Sequence, residues 1–158
     1  MEIRKLYVLF LLALCSNVFP QAPSIQWQKS LGGTFLDVAT SSQQTLDGGY
    51  IVVGHASSPD GDVIGHHGTA CCADYWVLKL NSSGNVVWQK SFGGTDDDEA
   101  SSIQQTTDKG YIMAGYSYSN DGDVTGHHGT ANYYDYWVVK IDSVGTNSLS
   151  GHSELVEA

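Results

Sequence analysis

Two ten-residue stretches of the chain carry residue types that bind metal ions. The first is DGDVIGHHGT, residues Asp60–Thr69, and the second is DGDVTGHHGT, residues Asp121–Thr130. Each contains two carboxylates one residue apart and two adjacent histidines. Carboxylates at this spacing in a turn can share a Ca²⁺ ion with backbone carbonyls, whereas imidazole nitrogens are ligands for Zn²⁺ or Ni²⁺.

The candidate metal ligands are therefore four aspartates and four histidines: Asp60, Asp62, His66, His67, Asp121, Asp123, His127 and His128. Ca²⁺ is the candidate cofactor, although the stretches are not EF-hands because the further ligands and the closing Glu are absent. A structural interpretation is favoured over a metal site. In that interpretation the Asp-Gly-Asp is a turn held by its own side chains, and the histidines pack within the loop.

Vicinal cysteines follow the first stretch at Cys71 and Cys72 and have no counterpart after the second. The usual zinc-site spacing of two or more residues between cysteines is missing. A loop substitution or a strained vicinal disulfide is therefore favoured over a zinc site.

An acidic run spans residues Asp96–Glu99, and most of it is expected to be a solvated loop. Only Asp98 has an acidic counterpart in the first half of the chain, Asp37. These two residues are the expected structural members, bonding a backbone turn.

No hydrolase, nucleotide-binding or metalloprotease motif is present. A metal-dependent hydrolase that uses the Asp and His loops is the alternative enzymatic hypothesis. Four tyrosines near the second stretch could stack on sugar rings in a carbohydrate contact: Tyr116, Tyr118, Tyr133 and Tyr134.

These features are positioned by an internal repeat with an offset of 61 residues. WQKSLGGT returns as WQKSFGGT, DGGYIVVG as DKGYIMAG, and DYWVLKL as DYWVVKI. Each repeat predicts four strands separated by Gly, Asn, Asp and Ser turns. They are predicted at Ala100–Thr106, Tyr111–Ser117, Tyr134–Ile141 and, in the first copy, Val86–Phe92, with a further fourth-strand segment at Ile25–Leu31.

Four antiparallel strands per repeat, with both faces of the third strand apolar, predict an all-β fold of β-propeller type. The two predicted blades, about 27–87 and 88–145, fill a domain at 23–145. A propeller closes with about 4–8 blades, so this one is expected to be incomplete or to close by oligomerising, with exposed strand edges.

The ends of the chain carry different signals. Arg4 and Lys5 precede a short apolar run, which predicts a signal peptide at residues 1–22 and a secreted protein without a membrane span. The stretch that ends at Cys15, LALC, is similar to a lipoprotein signal, so lipidation of Cys15 is a second interpretation. Residues 146–158 depart from the repeat and are expected to be a disordered tail.

The net charge of −10 argues against a nucleic-acid partner.

The repeat WQKSLGGT…DGGYIVVG…DYWVLKLNSSGN resembles that of secreted multi-repeat β-propeller proteins of Bacteroidetes, many of which are type IX secretion substrates. The resemblance implies an extracellular or cell-surface protein and says little about activity. The predicted function is a non-enzymatic, Ca²⁺-stabilised interaction module, with a protein or carbohydrate partner at the cell surface or a homo-oligomer that completes the propeller. A truncated fragment without independent function is a further alternative.

Overall fold

The computed structural model describes residues 22–128 and 133–145 of the chain. In these two ranges the regular secondary structure is entirely β, with seven strands. None of the described residues forms a helix of the length and apolarity needed to cross a lipid bilayer. Residues 1–21 of the predicted signal peptide, including Cys15, and the predicted tail at 146–158 lie outside the described residues.

Sheet A is formed by the first repeat and has four antiparallel strands in chain order. They are β1 (Asp37–Gln44), β2 (Tyr50–Ala56), β3 (Asp74–Leu80) and β4 (Val86–Phe92). Tight turns join β1 to β2 and β3 to β4, with Gly48 and Gly84 at positive φ. Strand β3 is buried at every position, which confirms the prediction that both of its faces are covered.

Sheet B is formed by the second repeat and has three antiparallel strands among the described residues. They are β5 (Asp98–Gln105), β6 (Tyr111–Ser117) and β7 (Asp135–Ile141). Strand β5 begins two residues before the predicted strand, because Asp98 and Glu99 pair with the end of β6. The predicted fourth-strand segment at Ile25–Leu31 forms no strand in the structure. One edge of β7 has no strand paired to it, because no strand follows β7 among the described residues.

Each sheet has two apolar faces. Successive side chains of its third strand point alternately to one face and to the other. The tyrosine face of sheet A carries Ile51, Val53, Tyr75 and Val77, and its tryptophan face carries Val52, Trp76, Leu78 and Leu80. The repeat offset gives sheet B the same two faces. Its tyrosine face carries Ile112, Ala114, Tyr136 and Val138, and its tryptophan face carries Met113, Trp137, Val139 and Ile141.

The two sheets stack so that the tyrosine face of sheet A covers the tryptophan face of sheet B. The main core lies between them and is formed by both faces together with Phe92, Ala100, Ile103 and Tyr111. Trp88 on β4 packs against the same core, and its ring meets that of Tyr111 with centroids 6.0 Å apart. Consecutive repeats are thus joined through unlike faces, and the all-β part of the predicted fold is confirmed.

The long connections at residues 57–73 and 118–134 each join the second strand of a sheet to its third. In an antiparallel sheet the first strand begins at the end where the second strand stops and the third begins. The segment that leads into the first strand therefore lies at that end as well. The Gly-Gly-Thr segments at Gly32–Thr34 and Gly93–Thr95 precede β1 and β5 in this way. Both types of loop therefore lie at one end of the sheets, and hydrogen bonds join them.

Candidate functional site

The first Asp-Gly-Asp turn is bonded to the Gly-Gly-Thr segment before β1. The Asp60 carboxylate accepts the Thr34 backbone N–H at 2.8 Å on Oδ1 and the Thr34 hydroxyl at 2.5 Å on Oδ2. These bonds lower the pKa of Asp60 below its ordinary value, the hydroxyl contributing most. The backbone N–H of Asp62 donates to the Gly32 carbonyl at 3.0 Å, and the Asp62 carboxylate accepts the Gly32 N–H at 3.2 Å.

The second Asp-Gly-Asp turn repeats this arrangement on the segment before β5. Asp121 accepts the N–H and the hydroxyl of Thr95 at 2.8 and 2.9 Å. The Asp123 N–H donates to the Gly93 carbonyl at 2.9 Å. Gly122 has a φ of +63°, and a Cβ there would lie 2.9 Å from the Cα of Gly94, so both the turn and the close approach require glycine.

An aspartate that is the first residue of β1 or of β5 supports the Gly-Gly-Thr segment before that strand, and Asp37 is half-buried in this position. Asp37 accepts the Gly33 N–H at 2.7 Å, and Asp98 accepts the Gly94 N–H at 2.8 Å. The expectation that these two residues bond a backbone turn is confirmed. Asp98 is fully buried, although the acidic run around it was expected to be solvated. Burial raises the pKa of Asp98, and its hydrogen bonds, the first with Ser117, partly offset this effect.

Sequence reasoning missed the serines that complete these supports. Ser58 donates its hydroxyl to Asp37 at 2.8 Å, and Ser119 donates to Asp98 at 2.9 Å. Both serines are fully buried, and they precede the two Asp-Gly-Asp turns by the same two residues. Their shared position in the repeat was the signal that could have found them.

The histidines of the first loop bond within their own repeat, and His67 also approaches the second repeat. His66 places Nε2 2.9 Å from the Cys72 carbonyl. His67 donates its backbone N–H to Asp74 at 2.5 Å, and its Nδ1 lies 3.0 Å from the same carboxylate oxygen. Burial raises the pKa of Asp74 to about 6, against the lowering effect of the His67 N–H. On its other side, His67 Nε2 lies 3.9 Å from Asp123 of the second repeat.

The histidines of the second loop are placed differently. The Nδ1 atoms of His127 and His128 lie 3.6 and 3.5 Å from one oxygen of Asp135. The His128 backbone N–H donates to that oxygen at 2.5 Å and lowers the pKa of Asp135. The His127 ring is buried, and neither of its nitrogens has a hydrogen-bond partner among the described residues, whereas the His128 ring is exposed.

The eight predicted metal ligands therefore do not converge on one point, and they contact different groups in the structure. The aspartates hold the Gly-Gly-Thr segments, and the histidines lie against a carbonyl or against Asp74 and Asp135. Across residues 22–128 and 133–145, no three His, Cys, Asp or Glu side chains form a group that could hold a metal ion. The geometry favours the hydrogen-bonding role, and Ca²⁺ binding and metal-dependent hydrolysis stay predictions.

The vicinal cysteines are free thiols with their sulfur atoms 3.0 Å apart. Cys71 is exposed and its hydrogen bond with Cys72 lowers its pKa, which makes it the more acidic thiol. The same bond and burial raise the pKa of Cys72 to about 12. The arrangement agrees with a loop substitution, since no cysteine occurs at the corresponding positions of the second repeat.

The most exposed aromatic surface in the described chain lies on and beside sheet B. Tyr116, Tyr118 and Tyr134 contact one another with ring centroids 5.1 to 5.9 Å apart. Next to them, Tyr136 projects from the tyrosine face with 96% of its surface exposed. A shallow cavity of about 370 Å³ is lined by Tyr116, Tyr134, Tyr136 and Gly115.

Comparison of the chain with protein-family models and with curated protein sequences found no match.

Proposed function

We propose that this chain is an exported, non-enzymatic interaction module of β-propeller type, and that it binds through the tyrosine face of sheet B. Its partner is a protein or a carbohydrate outside the cell. The stacking of consecutive repeats through unlike faces supports the propeller-type assignment, because each sheet presents one face to the sheet before it and the other to the sheet after it.

One observation carries the proposal. Ile112, Tyr136 and Val138 are 38%, 96% and 58% exposed, whereas their repeat counterparts Ile51, Tyr75 and Val77 are completely buried. Apolar side chains clustered on one exposed face commonly mark an interaction site. Aromatic residues are also enriched at protein interfaces and in sugar contacts, because they offer a large apolar surface with a polar tip.

The loops support a non-enzymatic function. In both repeats the acidic residues hold the same backbone segments, so their recurrence follows from the construction of each repeat. A single catalytic centre would instead need groups that converge on one point. The polar residues of the loops thus stabilise the scaffold, and the recognition surface lies on the sheet.

A photo-crosslinking experiment tests this function. A benzophenone amino acid replaces Tyr136 in the full chain, which is expressed with its own N-terminus and irradiated in the producing culture. We expect the protein to be exported and to form discrete covalent adducts. The matched control carries the same amino acid at Ser82, an exposed residue of the β3–β4 turn. Equal labelling at both positions, or no adduct at position 136, would refute the binding face.

A further inference from the structure

The junction between the two sheets is built around one tyrosine. Tyr75 crosses from sheet A to sheet B, where its hydroxyl donates to the Trp137 carbonyl at 3.0 Å and its ring lies 4.6 Å from that of Trp137. The hydroxyl fits beside Gly115, where a Cβ would approach it to 2.6 Å. Gly115 and Trp137 are register partners on β6 and β7, so they form a single notch in the tryptophan face.

Both halves of this junction recur at the two ends of the stack, where the described residues place no second sheet against them. On sheet A the side chains of Trp76, Leu78 and Leu80 are nevertheless buried within a single copy. On sheet B, Tyr136 is the counterpart of Tyr75 and is exposed. On sheet A, Gly54 and Trp76 are register partners, as Gly115 and Trp137 are in sheet B. The described atoms closest to a Cβ at Gly54 belong to the β1 backbone, with no tyrosine hydroxyl among them. This notch opens into a groove of about 250 Å³ on the tryptophan face of sheet A.

The pairing of β3 with β4 in sheet A also has two unpaired counterparts, one at each end of the stack. In sheet A, β4 pairs with β3, and Val77 lies opposite Lys90. The counterpart of β4 is the segment Ile25–Leu31, which forms no strand in the structure and lies along the groove of sheet A. Trp27 packs on Tyr50 with centroids 5.4 Å apart, as Trp88 packs on Tyr111. This segment is thus placed as the fourth strand of a preceding sheet would be.

We propose that this preceding sheet is sheet B of a second copy of the chain. Tyr136 of one copy enters the notch beside Gly54 of the next and donates its hydroxyl to the Trp76 carbonyl. The Ile25–Leu31 segment of the second copy pairs with β7 of the first and completes its sheet. This inference rests on the proposed binding face and names its partner.

The interface is of the head-to-tail kind, because it joins two different surfaces of the same chain. Such an interface forms a ring when the rotation between copies closes. Since propellers close with about 4–8 sheets, the expected assembly holds about two to four copies. One contact is weaker than in the internal junction: Ser42 stands on sheet A where Ile103 of sheet B contributes to the core.

Disulfide trapping tests the register between copies. With the three native cysteines replaced by serine, Val138→Cys and Lys29→Cys are introduced together, because they are the counterparts of the paired Val77 and Lys90. We expect oxidation to link copies covalently. The matched control combines Val138→Cys with Lys90→Cys, since Lys90 is exposed but is already paired within sheet A. Equal cross-linking in both pairs, or none in the first, would overturn the proposed register.

Sedimentation of the exported chain tests the assembly itself. We expect a discrete species of about two to four copies, which Tyr136→Asp converts to a single chain with an unchanged circular dichroism spectrum. A single chain in the unsubstituted protein at high micromolar concentration would overturn self-association. The benzophenone experiment then separates the two proposals, because adducts with another molecule would leave the binding face standing, whereas the absence of any adduct would remove both.

Discussion

The difference between the two tyrosine faces predicts unequal effects of the same substitution in the two repeats. Ile51 is completely buried in the core between the sheets, whereas its counterpart Ile112 is 38% exposed on sheet B. Ile51→Ala removes three carbon atoms worth about 0.8 kcal/mol each in transfer energy and leaves a cavity between two packed sheets. We expect it to lower the free energy of unfolding by about 3–4 kcal/mol, within the usual range for such changes.

Ile112→Ala leaves no enclosed cavity, because its side chain faces solvent in a single copy. We expect it to lower the free energy of unfolding by about 1 kcal/mol. Urea unfolding followed by tryptophan fluorescence measures both, at a concentration where the chain does not associate. With a slope of about 2 kcal/mol per molar urea, the midpoint should fall by about 1.5–2 M for Ile51→Ala and by about 0.5 M for Ile112→Ala. Equal shifts would refute the assignment of which face is covered.

Three further predictions concern charges and thiols. Asp47→Ala should lower the thermal midpoint more than Asp108→Ala. The first substitution leaves the buried ammonium of Lys79 without its carboxylate, whereas Lys140, the partner of Asp108, is exposed. Equal shifts of the midpoint would contradict this prediction. Burial raises the pKa of Asp98, so its contribution to stability is present below its unfolded value of 3.8 and is lost as pH rises through its folded pKa. Thermal unfolding across this range should show a decline that Asp98→Asn flattens, and an unchanged slope in the variant would exclude Asp98 as its source. Cys71 should be alkylated before its neighbour, because it is exposed and its pKa is lowered; peptide mass mapping of the partially modified chain would show the reverse order if the thiol assignment is wrong.

The strand predictions succeeded where the pattern is local. The repeat offset and the alternation of apolar residues predicted β6 and β4 at their observed limits, Tyr111–Ser117 and Val86–Phe92. The same offset singled out Asp37 and Asp98 as structural aspartates. The segment Ile25–Leu31 has the sequence of a fourth strand but forms none, because a strand needs a partner edge and the described residues of a single copy place no such edge beside it.

The Asp-Gly-Asp turns show what the local pattern does not contain. Their residue types fit both a cation site and a self-bonded turn, and the sequence favoured the turn. In the structure the Asp60 carboxylate instead bonds to Thr34, which lies in the segment before β1, 26 residues away. Sequence spacing cannot predict such a bond, because it depends on how the strand order brings two loops to the same end of a sheet.

The sequence by itself determined the repeat, the all-β class, the turn positions and the pairs of equivalent residues, because backbone alternation and turn conformation are properties of neighbouring residues. Only the tertiary structure decided that Tyr75 is buried while Tyr136 is exposed. The two residues are identical in type and both lie in an Asp-Tyr-Trp-Val segment, and they differ in whether another sheet lies against them. Burial of these side chains therefore depends on how the sheets stack. The two outer faces of the stack, which differ from each other, are the surfaces that we propose bind a partner.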